Sequence, residues 1–231
     1  ERHTNRILNQ MKIDLRLNKI PTHIECFDNS NIQGSNPVAS CIVFKNSKPS
    51  KKDYRHFNIK TVEGPDDYAS MEEVVYRRYK RMLDEKSILP SLIIIDGGKG
   101  QLSSSIKALK KLNLENTIAI LGIAKRLEEI FYPNDPIPLY LNKKSETLKV
   151  IQQMRNEAHR FAITFHRNKR SKQALISSFD RIPGIGEKTK TALLKRFKSL
   201  KKIKETSLDL LISEVGESKA KKLKEFLNSM K

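Results

Sequence analysis

The sequence predicts an α/β (α+β) chain: a mixed sheet with flanking helices, followed by a small all-α domain. Three observations carry that expectation. Short apolar runs at 24–28, 38–45 and 52–59 are joined by polar turns, as in an antiparallel meander. A strand–helix–strand pattern follows between Leu92 and Ile123. The last sixty or so residues carry helical periodicity, short loops and no strand signal.

Taken in order, residues 1–20 read as a leading helix or linker, periodic from Ile7 to Leu17 and closed by Pro21. Ile24-Glu25-Cys26-Phe27-Asp28 is a short strand that delivers an aspartate into the turn Asn29-Ser30-Asn31. The second strand, 38–45, alternates Val38, Ser40, Ile42 and Phe44 against Ala39, Cys41 and Val43. Gly64-Pro65-Asp66-Asp67 punctuates the chain before a helix over 68–85, with Asp66 or Asp67 placed to cap it. The run Leu92-Ile93-Ile94-Ile95 has the length and bounds of a buried strand and ends in Asp96. A helix over 99–112 and a strand over 117–123 complete a unit whose crossover should be right-handed and parallel. Residues 126–141, with Pro133, Pro136 and Pro138, read as a hairpin or lid, and 146–167 as a long helix. This makes 21–167 one domain. A basic linker is expected over 168–175, starting with Asn168-Lys169-Arg170-Ser171-Lys172, before a helical domain at 176–231.

Composition narrows the partners. The 231 residues carry a formal charge of +19, spread through the chain. From Lys172 onward about fifteen basic residues face seven acidic ones, roughly +8. A lysine-rich surface from an AT-rich genome could supply part of this excess, but folding alone does not require it, so a polyanion is the expected partner. Cys26 and Cys41 fall inside expected strands, which suits buried free thiols in a reducing compartment and makes no zinc cluster. There is no membrane-spanning run and no signal-peptide pattern. A cytoplasmic monomer is expected. The chain starts at Glu1 without an initiating Met, as a fragment of a longer protein would.

Two strand-end aspartates, Asp28 and Asp96, are the first candidates for chemistry. A buried strand ending in an acid is costly unless something pairs with it. If the two strands lie side by side and parallel, both carboxylates emerge at one sheet edge and can share a divalent metal. Each could instead cap a turn or a helix start. Asp67 is a further candidate, because one acid suffices to cap the following helix. His159, in Arg155-Asn156-Glu157-Ala158-His159-Arg160-Phe161-Ala162, could complete the site, with Glu157 and His166 as competitors. Gly97-Gly98-Lys99-Gly100 lacks the spacing and hydroxyl of a nucleotide-binding loop. Its glycines would let backbone approach the Asp96 site, and Lys99 could reach a scissile phosphate.

The sharpest local pattern lies in the tail. Pro183-Gly184-Ile185-Gly186, followed by Lys188 and Lys190, is a helix-hairpin-helix motif, in which a hairpin without Cβ atoms presents backbone N–H groups and a helix N-terminus to a nucleic-acid phosphate. Such contacts position a duplex without reading its bases. A weaker copy at Gly216 and Lys219, which has lost one glycine and carries Glu217, suggests a tandem pair.

These segments, in this order, resemble the C-terminal half of the UvrC family, the incision subunit of bacterial nucleotide excision repair. The resemblance runs through Asp66-Asp67-Tyr68-Ala69-Ser70-Met71, Ile95-Asp96-Gly97-Gly98-Lys99-Gly100-Gln101, the His159 segment and the hairpin at Pro183. It implies an RNase H-like fold with a tandem helix-hairpin-helix domain, and an endonuclease that uses Mg2+ or Mn2+ to cut on the 5′ side of a lesion in damaged double-stranded DNA. It implies Asp28 and Asp96 as catalytic carboxylates, Asp67 as a further needed acid, and His159 as the site's histidine. It also implies UvrB as a partner of the full-length protein, through a region absent from this chain, as is the family's N-terminal nuclease. One departure is Asn31, where many members carry His. Two other readings stay open: a non-catalytic DNA-binding scaffold on a degenerate nuclease fold, and a nuclease for RNA–DNA hybrids, which shares the acids but does not explain the tail.

Overall fold

A computed structural model describes residues 2–30, 37–124 and 128–229. Asn31 and Arg126 lie outside the described residues. The chain divides into two compact units, Glu1–Thr164 and Phe165–Lys231.

In the first unit the meander strands are β1 (His23–Ser30), β2 (Val38–Lys45), the two-residue β3 (Lys48–Pro49) and β4 (Arg55–Asn58). They join β5 (Leu92–Asp96), β6 (Ala119–Ile123) and β7 (Ile130–Phe131) in one sheet of order β3-β2-β1-β5-β6-β7, with β4 also on β2. Pairing of β1 with β5 and of β5 with β6 is parallel, and the rest is antiparallel. Helices α1 (Arg2–Asp14), α2 (Asp67–Asp84), α3 (Lys99–Lys111) and the first part of α4 (Glu146–Asp180) flank it.

Strand alternation divides the core in two. Ile24, Cys26, Leu92 and Ile94 face Leu8 and Met11 of α1 and Val150, Ile151, Met154 and Ala158 of α4. Phe27, Ile93 and Ile95 face Met71, Val74, Val75 and Tyr79 of α2 and Leu102, Ala108 and Leu109 of α3. With both faces covered, β5 is buried at every position, as a central parallel strand should be.

Several boundaries differ from expectation. The segment 1–20 is no linker, because Leu8, Met11 and Leu15 are buried in the first core. The strand expected over 52–59 begins later. A short 3-10 helix, Lys51–Asp53, forms first, fixed by hydrogen bonds from Ser50 Oγ and Lys45 Nζ to Asp53. Asp66, not Asp67, caps α2, accepting from the Tyr68 and Ala69 N–H groups. Part of 126–141 is a hairpin: β7 pairs with β6, and Ile130 bridges Leu139. The 168–175 linker is helical, since α4 runs unbroken to Asp180.

In the second unit the rest of α4 is followed by α5 (Glu187–Arg196), α6 (Leu200–Glu205), α7 (Leu208–Val215) and α8 (Glu217–Ser229). Leu175, Phe179, Leu193, Ile203, Leu211 and Leu223 form its core.

Candidate active site

Parallel pairing in register sets Asp28 of β1 directly beside Asp96 of β5 as Cα partners. Side chains opposite one another in register point to the same face, and alternation from Cys26 and Ile94 turns both acids toward the α1/α4 side. Both are buried, Asp28 at 1% and Asp96 at 7% exposure. Two neighbouring buried carboxylates are costly without polar or cationic partners, and α4 supplies one for each. His159 Nδ1 stands 3.5 Å from Asp28 Oδ2. Arg155 Nε donates to Asp96 Oδ1 at 3.3 Å. Arg155 and His159 are one helical turn apart, so the same face of α4 meets both acids. Ser40 Oγ on β2 donates to the Ala158 carbonyl at 3.0 Å, fixing that turn against the sheet.

Asp96, Arg155, Asn156 and His159 line a cleft of 410 Å³ together with Glu128 and Gln152. Gln152 Nε2 donates to Glu128 Oε1 at 2.8 Å, and Arg155 Nη1 lies 3.9 Å from the same oxygen. The charge is felt below the cleft. Burial first, then the negative charges of Asp96 and Asp28, push the Cys26 thiol up. Sequence reasoning missed Arg155, Glu128 and Gln152. Arg155 had a readable signal in its spacing of four from His159; Glu128 had none.

The other acids and cations are placed differently. Asp67 is the exposed first residue of α2, tied to the end of β1 by Asn29 Nδ2, which donates to the Asp67 carbonyl at 2.9 Å. Glu157 is not in the cleft over the acids. It takes hydrogen bonds from Arg160 and from the Tyr54 hydroxyl, and the Arg160 contact chiefly lowers its pKa. His166 falls in the second unit, buried at 2% exposure. Lys99 Nζ donates to the Pro136 carbonyl at 2.9 Å and lies 5.3 Å over the Phe131 ring, bracing the proline-rich segment. Within the glycine corner a Cβ at Gly100 would come within 2.4 Å of the Tyr68 ring, and one at Gly97, next to Asp96, within 2.8 Å of the Gln101 side chain, so both glycines serve close packing at the start of α3. Among the described residues no group of three His, Cys, Asp or Glu forms a ready metal-holding set.

In the second unit Gly184, three residues before α5, and Gly216, between α7 and α8, both have φ of +86°, a backbone that favours glycine. Pro183, Gly184, Gly186 and Lys188 are exposed, whereas Ile185 is buried, so its side chain anchors the hairpin. Lys190 is engaged by Asp180 and Glu187, and Lys219 Nζ donates to Thr189 Oγ1 at 3.1 Å. These two lysines brace the hairpins internally.

The model of the UvrC RNAse H endonuclease domain matches residues 12–163, and that of a SAM-like helix-hairpin-helix tandem matches 176–229. UvrABC system protein C of Flavobacterium psychrophilum is 69% identical over 230 residues, which is 100% of this chain and 38% of that protein. The Cytophaga hutchinsonii protein of the same name is 61% identical over 224 residues, covering 96% of this chain and again 38% of the relative. The chain therefore spans under two-fifths of the length of these curated relatives. Among solved structures, endonuclease V from Bacillus subtilis shares 13% identity with a TM-score of 0.39, covering 73% of this chain and 95% of that one, too distant to bear on the site. With the endonuclease-domain match over most of its length and close relatives along all of it, the chain belongs to the UvrC family.

Proposed function

We propose that this chain carries the centre that hydrolyses a DNA phosphodiester on the 5′ side of a lesion in nucleotide excision repair. The observation that supports it best is the in-register pair Asp28 and Asp96, buried on adjacent parallel strands beneath His159. Two acids held together inside a protein as basic as +19 are not explained by turn capping.

The donor set suits a divalent metal. Two buried carboxylates offer hard oxygen ligands for Mg2+ or Mn2+, and His159 on Asp28 adds the nitrogen that tilts preference toward Mn2+. Bound by Asp28, Asp96 and His159, such an ion would supply Lewis acidity to water and to the scissile phosphate. The chain's own groups do the rest. Strands β1 and β5 fix the spacing of the two carboxylates. Arg155 neutralises Asp96 and keeps it oriented. Asn156 and Gln152 offer amides to the substrate from the cleft wall. Asp67, at the start of α2 and tied to Asn29, adds negative charge near the strand ends. In the tail, Pro183, Gly184, Gly186 and Lys188 grip duplex phosphates, with Gly216 as a weaker second contact. Damaged DNA is the substrate, UvrB a partner of the full-length protein, and the cytoplasm the setting.

The test is strand cutting by the Asp28→Ala chain with Mg2+ or Mn2+. Activity should be lost while duplex affinity stays within a few-fold. An active Asp28→Ala protein ends the proposal. The contact of Arg155 with Asp96 favours one rival, a non-catalytic DNA-binding scaffold. Manganese titration separates the two, because a scaffold would leave the Asp28 site empty at high metal.

A further inference from the structure

The cleft over the two aspartates continues along α4. A second depression of 540 Å³ adjoins it, and the two share Gln152 and Asn156 as a common wall. Its far side is basic. Lys51 comes from the short helix after β3, while Lys149 and Arg160 come from α4. Lys149, Asn156 and Arg160 are spaced by seven and four residues, which puts them within about 20° of one line down the helix. The neighbouring line carries Gln152, Arg155 and His159. The two rows of α4 thus line two parts of one groove.

The cations of this groove differ in their company. Arg160 is held by Glu157 at 2.7 and 2.8 Å. Lys51 and Lys149 are exposed, and neither makes an ion pair among the described residues. Lys48 and Lys52 extend the exposed basic run on the Lys51 side, whereas Lys45 is taken by Asp53 at 2.8 Å. Ammonium groups and side-chain amides suit a repeating anion read without regard to sequence.

We propose that this depression is a phosphate subsite for the strand being cut. Lys51 and Lys149 hold a backbone phosphate a short way along from the scissile one, while Gln152 and Asn156 span the two positions. The proposal rests on reading Asp28 and Asp96 as the cutting centre. It adds a second DNA contact, separate from the helix-hairpin-helix, that sets which phosphate reaches the acids.

The test compares two double variants of the whole 231-residue chain, Lys51→Glu/Lys149→Glu and Lys107→Glu/Lys110→Glu. Lys107 and Lys110 are exposed on α3, which covers the opposite sheet face, so the second variant makes an equal change in net charge away from the groove. Fluorescence anisotropy with a labelled DNA duplex is read across a salt series. The groove variant should bind about tenfold more weakly at low salt, and its log–log salt slope should flatten by about 1, one phosphate contact's worth. A loss no larger than that of the α3 variant overturns the proposal. Lys51→Gln/Lys149→Gln, which removes the charges without reversing them, should show a smaller loss of the same kind. Because binding is read without cutting, an inactive Asp96 site would fail the functional reading and leave this result intact. Where cutting is measurable, the groove variant should raise KM by more than the α3 variant does.

Discussion

Strand β1 carries two buried acids, and their surroundings could hardly differ more. Glu25 faces α2 and is fully enclosed. Arg78 donates to both of its oxygens at 2.7 and 3.1 Å, the Tyr79 hydroxyl donates at 2.9 Å, and His23 lies 3.3 Å away. Burial works against its charge, but the His23 and Arg78 hydrogen bonds and the Arg78 guanidinium win, holding it down at about 2. Asp28, three residues on and facing α4, has a second acid as its neighbour and an imidazole at 3.5 Å. Burial of a carboxylate is therefore not in itself a mark of function. Glu25 is a rivet between α2 and the sheet; Asp28 stands at a strand end with a second carboxylate as its in-register neighbour.

The sharpest way to break this contrast is through stability. Glu25→Ala strands the Arg78 charge inside the protein and should cost about 3–5 kcal/mol in urea unfolding. A loss under 1 kcal/mol would make Glu25 no rivet. Acid should expose the same group. Its folded pKa lies below the ordinary 4.5, so its contribution is complete above pH 4.5 and disappears as pH falls toward 2, about 3 kcal/mol in all. Glu25→Gln lacks this term, and its stability should fall less than the wild type's over that window. Parallel curves would contradict the assignment.

The corresponding change on the other side, Asp28→Asn, should leave unfolding free energy within about 1 kcal/mol, since it relieves repulsion, while lowering strand cutting a hundredfold or more. Circular dichroism melts and a nicking assay on one preparation read both numbers. The smallest expected effect concerns Arg155. Removing its cation from Asp96 in Arg155→Gln should tighten Mn2+ binding about two- to fivefold, followed by electron paramagnetic resonance titration, because the ion no longer competes with a resident charge. Weaker binding would instead make Arg155 a support for the metal site.

Much of this arrangement was readable in the residues. An apolar run that ends in an acid is a local signal, so both strand-end aspartates and the parallel β-α-β unit could be found without coordinates. The role of Glu25 could not. Its strand segment was visible, but Arg78 is 53 residues away in sequence, and nothing local says which face meets that helix. The linker failed for a different reason. Asn168 to Lys172 is basic and polar, as a linker would be, yet it contains no glycine or proline, and Leu175 and Phe179 keep the buried face of α4 going. Composition there reported exposure, not a break in the helix. Lys190 and Lys219 show the same limit, since their hairpin positions were legible and their intramolecular partners were not.

The in-register meeting of β1 and β5 has a consequence for how this gene can change. Side chains alternate with every residue, so adding or deleting one codon upstream of the acid within either strand would turn it toward α2 and leave its partner behind. Point changes in these strands erode packing by degrees, but a change of length by one would remove the chemistry outright. These ten or so positions should accept new letters far more readily than new spacing.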